Sequence, residues 1–495
     1  MFSEFLFRRQ FILSSKEFCI FEGWNQIPLN NGMIVSAHPD LELTEAGNGE
    51  FRIILLGFLL DPFSPGLSNQ EILNELINKI KSLDELIKST EKYSGRWVLV
   101  YQDIHTTKLF HDPCAQRQVY YHFEDEHVTC ASSTSLIHHF FPLVLDTGEE
   151  LNQFLKSDAF LNRENDWIGD ESIYLNVKHL MINFYLDFKK KAAIRFWPLE
   201  PLKKIGLSEG VILGAEIIKG TMLAANKRRR LALAVTSGMD TRILLAASKE
   251  IKESVSYYVG IYGSEKRYVD DFVVPDKLFK RLGLPFYAQR FTSQVPEEFK
   301  LLYKKNLTMA RHHLPKCAFI YQQLMDFEDM LIINGNACEI AREMPFHRPY
   351  PFKKLSGYNL AEGYLGYPKQ PYVIRHLDAW INEILPFCRK TKINIHDMLY
   401  WEQKMGNWGA LYPAEQDIAV DQLTPFNNRL FLSSMLSVEV KYRVFPDYTV
   451  FRKMIEYLWP ELLCEPINPR SAKSYMRAWI RHMMVRHFNN KTNSY

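Results

Sequence analysis

The sequence predicts a mixed α/β protein in two parts: an antiparallel, β-rich first part, then a parallel α/β domain with a helical C-terminal part. Three observations carry this. Between residues 94 and 133, four strand-like runs are separated by short polar turns at hairpin spacing. Between residues 207 and 335, continuous apolar strand-like runs alternate with helical patterns, as in a parallel sheet with crossover helices. Beyond about residue 340 the chain reads as mostly helical with loops.

The elements follow in order. "FRIILLGFLLDP" (51–62) is a short apolar run ended by Asp-Pro. "NQEILNELINKIKSLDELIKS" (69–89) has apolar residues three and four apart, which predicts one amphipathic helix. "GRWVLVYQD", "TKLFHDP", "QVYYHFED" and "HVTCASS" predict an antiparallel sheet with one or two packed helices. A helix near 151–160 and a hairpin in "HLMINFYLDFKKKAAIRFWPL" come next. After Pro201, "SEGVILGAEIIKGTMLAAN" is helical, with Ser208 and Glu209 at its start. Then "LALAVT" is a strand, "DTRILLAASKE" a helix, "SVSYYVGIYG" a strand and "VVPDKLFKRLGL" a helix; "PFYAQRF" and "MLIINGN" are further strands.

Length allows two or three domains, and the 47% apolar content supports sizeable cores. A net charge of +3 is too small to point to nucleic acid or an acidic surface. Seven scattered cysteines without a CxxC pair support neither a zinc site nor a disulfide framework, and predict a cytoplasmic location. Neither a signal peptide nor a membrane span is expected. "ARHHLPKC" groups His312, His313 and Cys317, but adjacent histidines point apart on a helix, so no metal site is expected there. "PRSAKSYMRAWIRHMMVRHFNNK" (469–491) is a basic amphipathic helix. Its expected arrangement is a solvated basic face over a packed Met/Trp/Ile stripe, against contact with a membrane surface or nucleic acid.

One stretch calls for chemistry. In "LALAVTSGMDTRILLAAS" (231–248), the hexapeptide Thr236-Ser237-Gly238-Met239-Asp240-Thr241 interrupts two apolar runs. A strand, a turn of small residues and a helix start make an anion cradle, because free N–H groups and the helix dipole favour negative charge. Gly238 can take φ > 0 and admit a ligand, and Thr236, Ser237 and Thr241 add hydroxyls. Asp240 fits beside a phosphate when a cation such as Mg²⁺ lies between them. The plainer alternative is Asp240 as a helix N-cap. The loop is neither a Walker motif nor a dinucleotide fingerprint.

"TSGMDT" resembles the pyrophosphatase loop of the asparagine synthetase family, Ser-Gly-Gly-x-Asp-Ser. Thr236 stands for the first Ser, Ser237 for the first Gly, Gly238 for the second, Asp240 for the Asp and Thr241 for the last Ser. "INGNACEIAR" (333–342) is similar to the family's Gly-x-Gly-Ala-Asp-Glu segment. Gly335 and Glu339 fit, Cys338 replaces the Asp, and the segment is one residue short. Residues 94–136 resemble the family's first domain through Gly95, Asp112, Tyr120, Tyr121, Ala131 and Ser132, whereas His111, Ala115 and Gln118 depart from it. That domain uses a Cys at position two as nucleophile; this chain has Phe2, and Cys19 is too far in to substitute. "NGE" (48–50) looks like a glutamine-binding motif but precedes the strand, and is read as chance. In residues 401–431, Pro425, Phe426 and Asn428 match the family's Glu-x-Arg-x-Pro-Phe-Leu-Asp stretch, with Asp421 for Glu and Leu423 for Arg. Where the family has a catalytic Lys, "PDYTVFRKM" offers Tyr448, followed by Arg452 and Lys453.

The resemblance implies an Ntn-hydrolase-like antiparallel sandwich without its nucleophile over residues 1–200, and an adenine-nucleotide α-hydrolase-like ATP pyrophosphatase domain over 201–495. It implies an AMP-forming amide ligase using ATP and Mg²⁺, joining a small-molecule or peptide carboxylate to ammonia or an amine, with no glutaminase activity of its own. An ammonia-supplying or pathway protein is a candidate partner. β-Lactam synthetases and lasso-peptide cyclases are relatives of this kind. The implied roles are Thr236, Ser237, Gly238 and Thr241 around pyrophosphate, Asp240 and Glu339 on Mg²⁺, and Arg342 facing the phosphates or pairing with Glu339. Val235 and Val259, Gly260 and Ile261 border the adenine, Gly335 lies at the second loop, and Met239 packs beneath the first. Two alternatives stand beside this: a degenerate nucleotide- or partner-binding homologue, favoured by Ser237, Cys338 and Tyr448, and a thiolation enzyme sharing this kind of loop, disfavoured by the absence of a cysteine pair.

Overall fold

The computed structural model describes residues 3–124, 127–261, 269–291, 294–309, 311, 314–322, 329–342, 355–361 and 366–489. Phe2, His312 and His313 lie outside the described residues.

The first part holds two antiparallel sheets. One contains β1 (Phe11–Ser14), β2 (Asn25–Pro28), β3 (Ile34–Ala37), β8 (Tyr120–Glu124), β9 (His127–Ala131) and β10 (Val177–His179), in the order β10-β8-β9-β1-β3-β2. The other contains β4 (Leu43–Gly47), β5 (Arg52–Leu60), β6 (Ser94–Gln102), β7 (Thr107–His111), β11 (Phe184–Asp187) and β12 (Ala192–Arg195), in the order β12-β11-β7-β6-β5-β4. Period-two alternation sends Phe11, Leu13, Val35 and Tyr121 from the first sheet and Ile54, Leu56, Val98 and Val100 from the second into one shared core. The alternate residues of the second sheet, Ile53, Leu55 and Leu99, face outward onto Ile72, Leu76 and Leu86 of two helices. Helix Thr134–Phe140 covers the other outer face, where Leu136 and Ile137 meet Ile12 and Val177. The result is helix, sheet, sheet, helix.

The single helix expected over 69–89 is two, Asn69–Lys79 and Leu83–Thr90. Ile80 is extended, and the Ser82 side chain accepts from the Glu85 N–H to start a new helix. "NGE" is the β4–β5 turn: Asn48 accepts from the N–H of Glu50 and Phe51, and Gly49 has φ +89°.

The second part is built on a parallel sheet of β13 (Arg230–Ala234), β14 (Val255–Ile261), β15 (Tyr287–Arg290), β16 (Met330–Ile333) and β17 (Asp421–Leu423), in the order β15-β14-β13-β16-β17. Helices Leu207–Arg228, Met239–Ala247 and Val269–Leu282 accompany it. Beyond 340, where a mostly helical chain with loops is expected, β17 adds a strand. Three residues carry no periodic signal of their own, and the strand exists through pairing of Leu331 with Asp421 and Ile333 with Leu423.

The tail expectation also changes. In helix Ala472–Asn489, Tyr475, Met476, Trp479, Ile480 and Met483 are exposed, and Ala478 is the buried contact. No helix among the described residues is long and apolar enough to cross a membrane.

Candidate functional site

The chain leaves β13 toward β14 and β15 on one side, then crosses back to β16 on the other. The carboxyl ends of β13 and β16 therefore flank the point where strand order reverses, the crevice in which open parallel sheets bind ligands. Residues 235–241 follow β13 and residues 334–339 follow β16, so the two loops singled out by sequence meet there. A Cβ added at Gly335 would lie 3.1 Å from the Asp240 Cβ and 3.6 Å from the Thr241 methyl, so the two loops approach closely and a larger residue would crowd Asp240.

Helix Met239–Ala247 starts at the loop with Gly238 as its N-cap. Gly238 has φ −71°, so the expected left-handed conformation is not used. No side chain caps the helix, which removes the N-cap alternative for Asp240. Thr241 turns inward: its Oγ1 accepts from the Thr236 N–H at 3.1 Å and lies 3.1 Å from the Thr236 hydroxyl. The Gly238 N–H donates to Thr236 Oγ1. These hydroxyls brace the loop. Met239 is buried beneath it, as expected. Val235 is fully buried in the core and its N–H donates to the Tyr258 carbonyl, so it borders the crevice only through backbone. Val259 and Ile261 are also buried, and Gly260 is half-buried between them.

Asp240 Oδ2 accepts from Arg342 Nη2 at 2.7 Å. Arg342 thus pairs with Asp240 rather than with Glu339, and its guanidinium lies 5.4 Å from the centre of the Tyr448 ring. Burial opposes its charge, but Asp240, with Cys338 and Glu339, outweighs that and raises its pKa. Two carboxylate oxygens, Asp240 Oδ1 and Glu339 Oε2, are buried without a hydrogen-bond partner. Burial, then the charge of Asp240, pushes the Glu339 carboxyl up to about 7 against the opposing pull of Arg342. Cys338, buried beside Asp240, is held as a neutral thiol by burial and by that carboxylate. Glu339 opens the short helix Cys338–Ala341, entered through Ala337 at φ +71°. Arg443 fixes its far end by donating to the Ala341 carbonyl at 2.8 Å.

Tyr448, at φ +46°, N-caps helix Thr449–Leu458 and is buried in the site; Arg452 and Lys453 are exposed. Of the three candidates for the Lys position, the fold brings only Tyr448 to Arg342.

Two features escaped the sequence. Asp271 Oδ1 accepts from both the N–H (3.2 Å) and the hydroxyl (2.7 Å) of Ser237. It sits in an acidic helix start, where Asp270-Asp271 reads only as favourable dipole chemistry. Arg242, fully buried, donates to the carbonyls of Leu462, Glu465 and Pro466. This pins the chain so that the Asn468 N–H reaches the Ser237 carbonyl at 2.9 Å. The available signal was a basic residue followed directly by the apolar run at 243–247.

Mg²⁺ takes one or two carboxylates plus water and phosphate oxygens. Two unpartnered buried carboxylate oxygens, on residues that follow β13 and β16, fit that donor set. Among the described residues there is no group of three or more His, Cys, Asp or Glu side chains placed to hold a metal.

No known protein family matches the sequence, and no curated protein matches it either. Among solved structures, the chain is similar to a glutamine phosphoribosylpyrophosphate amidotransferase from B. subtilis complexed with ADP and GMP. The identity is 12%, covering 57% of this chain and 67% of that one, at a TM-score of 0.23. It is similar also to an allosteric regulatory enzyme of purine biosynthesis, at 12% identity, covering 62% of this chain and 75% of that one, at a TM-score of 0.24.

Proposed function

We propose that this chain is an ATP-dependent, AMP-forming amide ligase of the asparagine synthetase type, joining a carboxylate to ammonia or an amine without its own glutaminase step. The observation that supports it most is the meeting of the 235–241 and 334–339 loops at the strand-order reversal, with one carboxylate oxygen on each, Asp240 Oδ1 and Glu339 Oε2, buried and unpartnered. In this reading a carboxylate oxygen attacks the α-phosphorus of ATP and the bond to pyrophosphate breaks. The amine nitrogen then attacks the acyl carbon, loses its proton, and AMP leaves.

The chain's residues have separable tasks. The Ser237 N–H and hydroxyl, once Asp271 is displaced from them, would receive the phosphates together with the N-terminus of helix Met239–Ala247. Asp240 and Glu339 would hold Mg²⁺, which would supply charge neutralisation for a departing pyrophosphate. Arg342, paired with Asp240 and 5.4 Å from the centre of the Tyr448 ring, adds positive charge there. In this reading nitrogen comes as ammonia, from a partner, or on the substrate.

The test is pyrophosphate release from ATP and Mg²⁺ with pools of acids and amines, ammonia included, for wild type and Asp240→Asn. Release by wild type that falls at least about 100-fold in the variant is expected. Silence from wild type together with no ATP binding by calorimetry sinks the reading. A second reading, a nucleotide-binding homologue without catalysis, is favoured by the Arg342–Asp240 pair and by Tyr448 in the lysine register. ATP binding without turnover distinguishes it.

A further inference from the structure

A second cavity, of about 780 Å³, opens at the opposite edge of the parallel sheet. Arg230 begins β13, Ser254 immediately precedes β14 and Asp329 immediately precedes β16, so the cavity lies at the amino ends of these strands. The candidate site lies at their carboxyl ends, about 16 Å away for five residues at ~3.3 Å each. The facing wall comes from Arg8 and Arg9, just before β1, so the cavity bridges the two parts of the chain.

Its charge is one-sided. The run "KRRR" (227–230) and the Arg8-Arg9 pair line it against two carboxylates, Asp40 and Asp329. Asp40 is already taken by Arg8 Nε. Arg9 is 3% exposed, and its Nε is buried with no hydrogen-bond partner. Its Nη1 reaches only a backbone carbonyl, that of Asp417, at 2.6 Å. Burial, then repulsion from Arg8, lowers the Arg9 pKa to about 10 despite three nearby aspartates. A buried cation with a spare donor is costly unless something anionic completes it. The backbone is set for this arrangement: Phe7 and Arg9 both hold left-handed φ, +54° and +56°.

We infer that this cavity is a binding site for a compact, multivalent oxyanion, phosphorylated or polycarboxylate, separate from the ATP-loop crevice. Multivalency follows from the lining, in which the Arg8-Arg9 pair and residues 227–230 supply cations from two separate segments of the chain. The concave shape, at a volume usual for small-molecule sites, selects a compact ligand over a polymer. Guanidinium groups suit planar or tetrahedral oxyanions by paired N–H donation.

Inorganic tripolyphosphate, tricarballylate and orthophosphate are titrated calorimetrically into the full chain and into the double variant Lys227→Glu/Arg230→Glu. Both positions are exposed, and melting by circular dichroism checks that the fold is kept. Hydrogen–deuterium exchange with and without tripolyphosphate locates the event. A multivalent anion binding at least tenfold more tightly than orthophosphate, at least tenfold weakening in the double variant, and new protection at residues 8–9 and 226–230 are expected. Which of the two multivalent probes binds tells phosphate from carboxylate recognition. Unchanged tripolyphosphate and tricarballylate binding in the double variant, or protection confined to 235–241, overturns the inference. So does a 20-nucleotide single strand that binds more tightly than either probe and loses binding in the same variant.

Discussion

Two clusters of buried arginine and carboxylate lie on the same parallel sheet, and they are out of balance in opposite directions. In the seam between the two parts of the chain, Arg96 and Arg117 meet Asp417 and Asp421. There every carboxylate oxygen faces an arginine: Asp417 takes both Arg96 Nη atoms and, at 3.3 Å, Arg117, while Asp421 takes Arg96 at 3.1 Å and lies 3.7 Å from Arg229. What is left over is donors, Arg117 Nε and Nη2 and Arg9 Nε. At the crevice what is left over is two acceptors, Asp240 Oδ1 and Glu339 Oε2, against one donor, Arg342 Nε. A saturated set of acceptors holds two regions together; an excess of acceptors invites a cation, and an excess of donors an anion.

The largest effect separates the two. Arg96→Met strips three hydrogen bonds from buried carboxylates and is expected to cost about 3–5 kcal/mol, seen as a lowered thermal midpoint. Asp240→Asn keeps an oxygen for Arg342 and removes a charge from an acceptor-rich site. Its stability cost is expected to be smaller than that of Arg96→Met, because the amide oxygen still accepts from Arg342, although the proposed activity is lost. Equal destabilisation by both variants would break the comparison.

How much of this was legible in the sequence follows the same division. The switch-point loops were legible because β13 and β16 are continuous apolar runs, and the residues after them change abruptly to small, polar and acidic types. The seam was not. Arg96 sits inside a strand, Asp417 and Asp421 bracket "IAV", and nothing local says that residues 321 positions apart pair. β17 was missed for that reason, since its three residues are a strand only because β16 is there. The inward turn of Thr241 was missed too, because a hydroxyl in a loop reads equally as a ligand donor or as a brace. The packed stripe expected at 475–483 is exposed, because periodicity reports an apolar face and not what covers it.

A smaller effect comes from pH. His179 stacks on Tyr120 with ring centroids 5.0 Å apart, and its Nε2 is buried without a partner. Burial, then the like charge of His111, lowers its pKa to about 3. The unfolded chain therefore binds the proton more readily. Stability is complete above about 6.5 and is lost as pH falls from there toward 3, by about 2 kcal/mol at pH 5. His179→Gln is expected to flatten the thermal midpoint between pH 7.5 and 5. The seam carboxylates respond later in the descent: burial favours protonation of Asp421, but Arg117, Arg229 and Arg96 hold its pKa below the usual range. An unaltered acid profile in the variant would place the early loss elsewhere.

The smallest effect bears on what the crevice is for. Asp271 accepts from the Ser237 N–H and hydroxyl, the two donors an incoming phosphate oxygen would use. A carboxylate in that position is the loop's own anion, and any ligand must displace it. Deleting it by Asp271→Ala frees both donors and removes a like charge from the phosphate's path. If the loop receives phosphate, the variant binds pyrophosphate about three- to tenfold more tightly, about 0.7–1.4 kcal/mol, the net worth of one exchanged hydrogen bond. The gain should shrink at high salt, because part of it is relief of repulsion between partly exposed charges. If the loop instead exists to dock helix Val269–Leu282, the same deletion lowers the thermal midpoint and leaves pyrophosphate affinity unchanged. Titration of pyrophosphate into both proteins at two salt concentrations, with a melting curve for each, separates an anion receptor from a helix anchor.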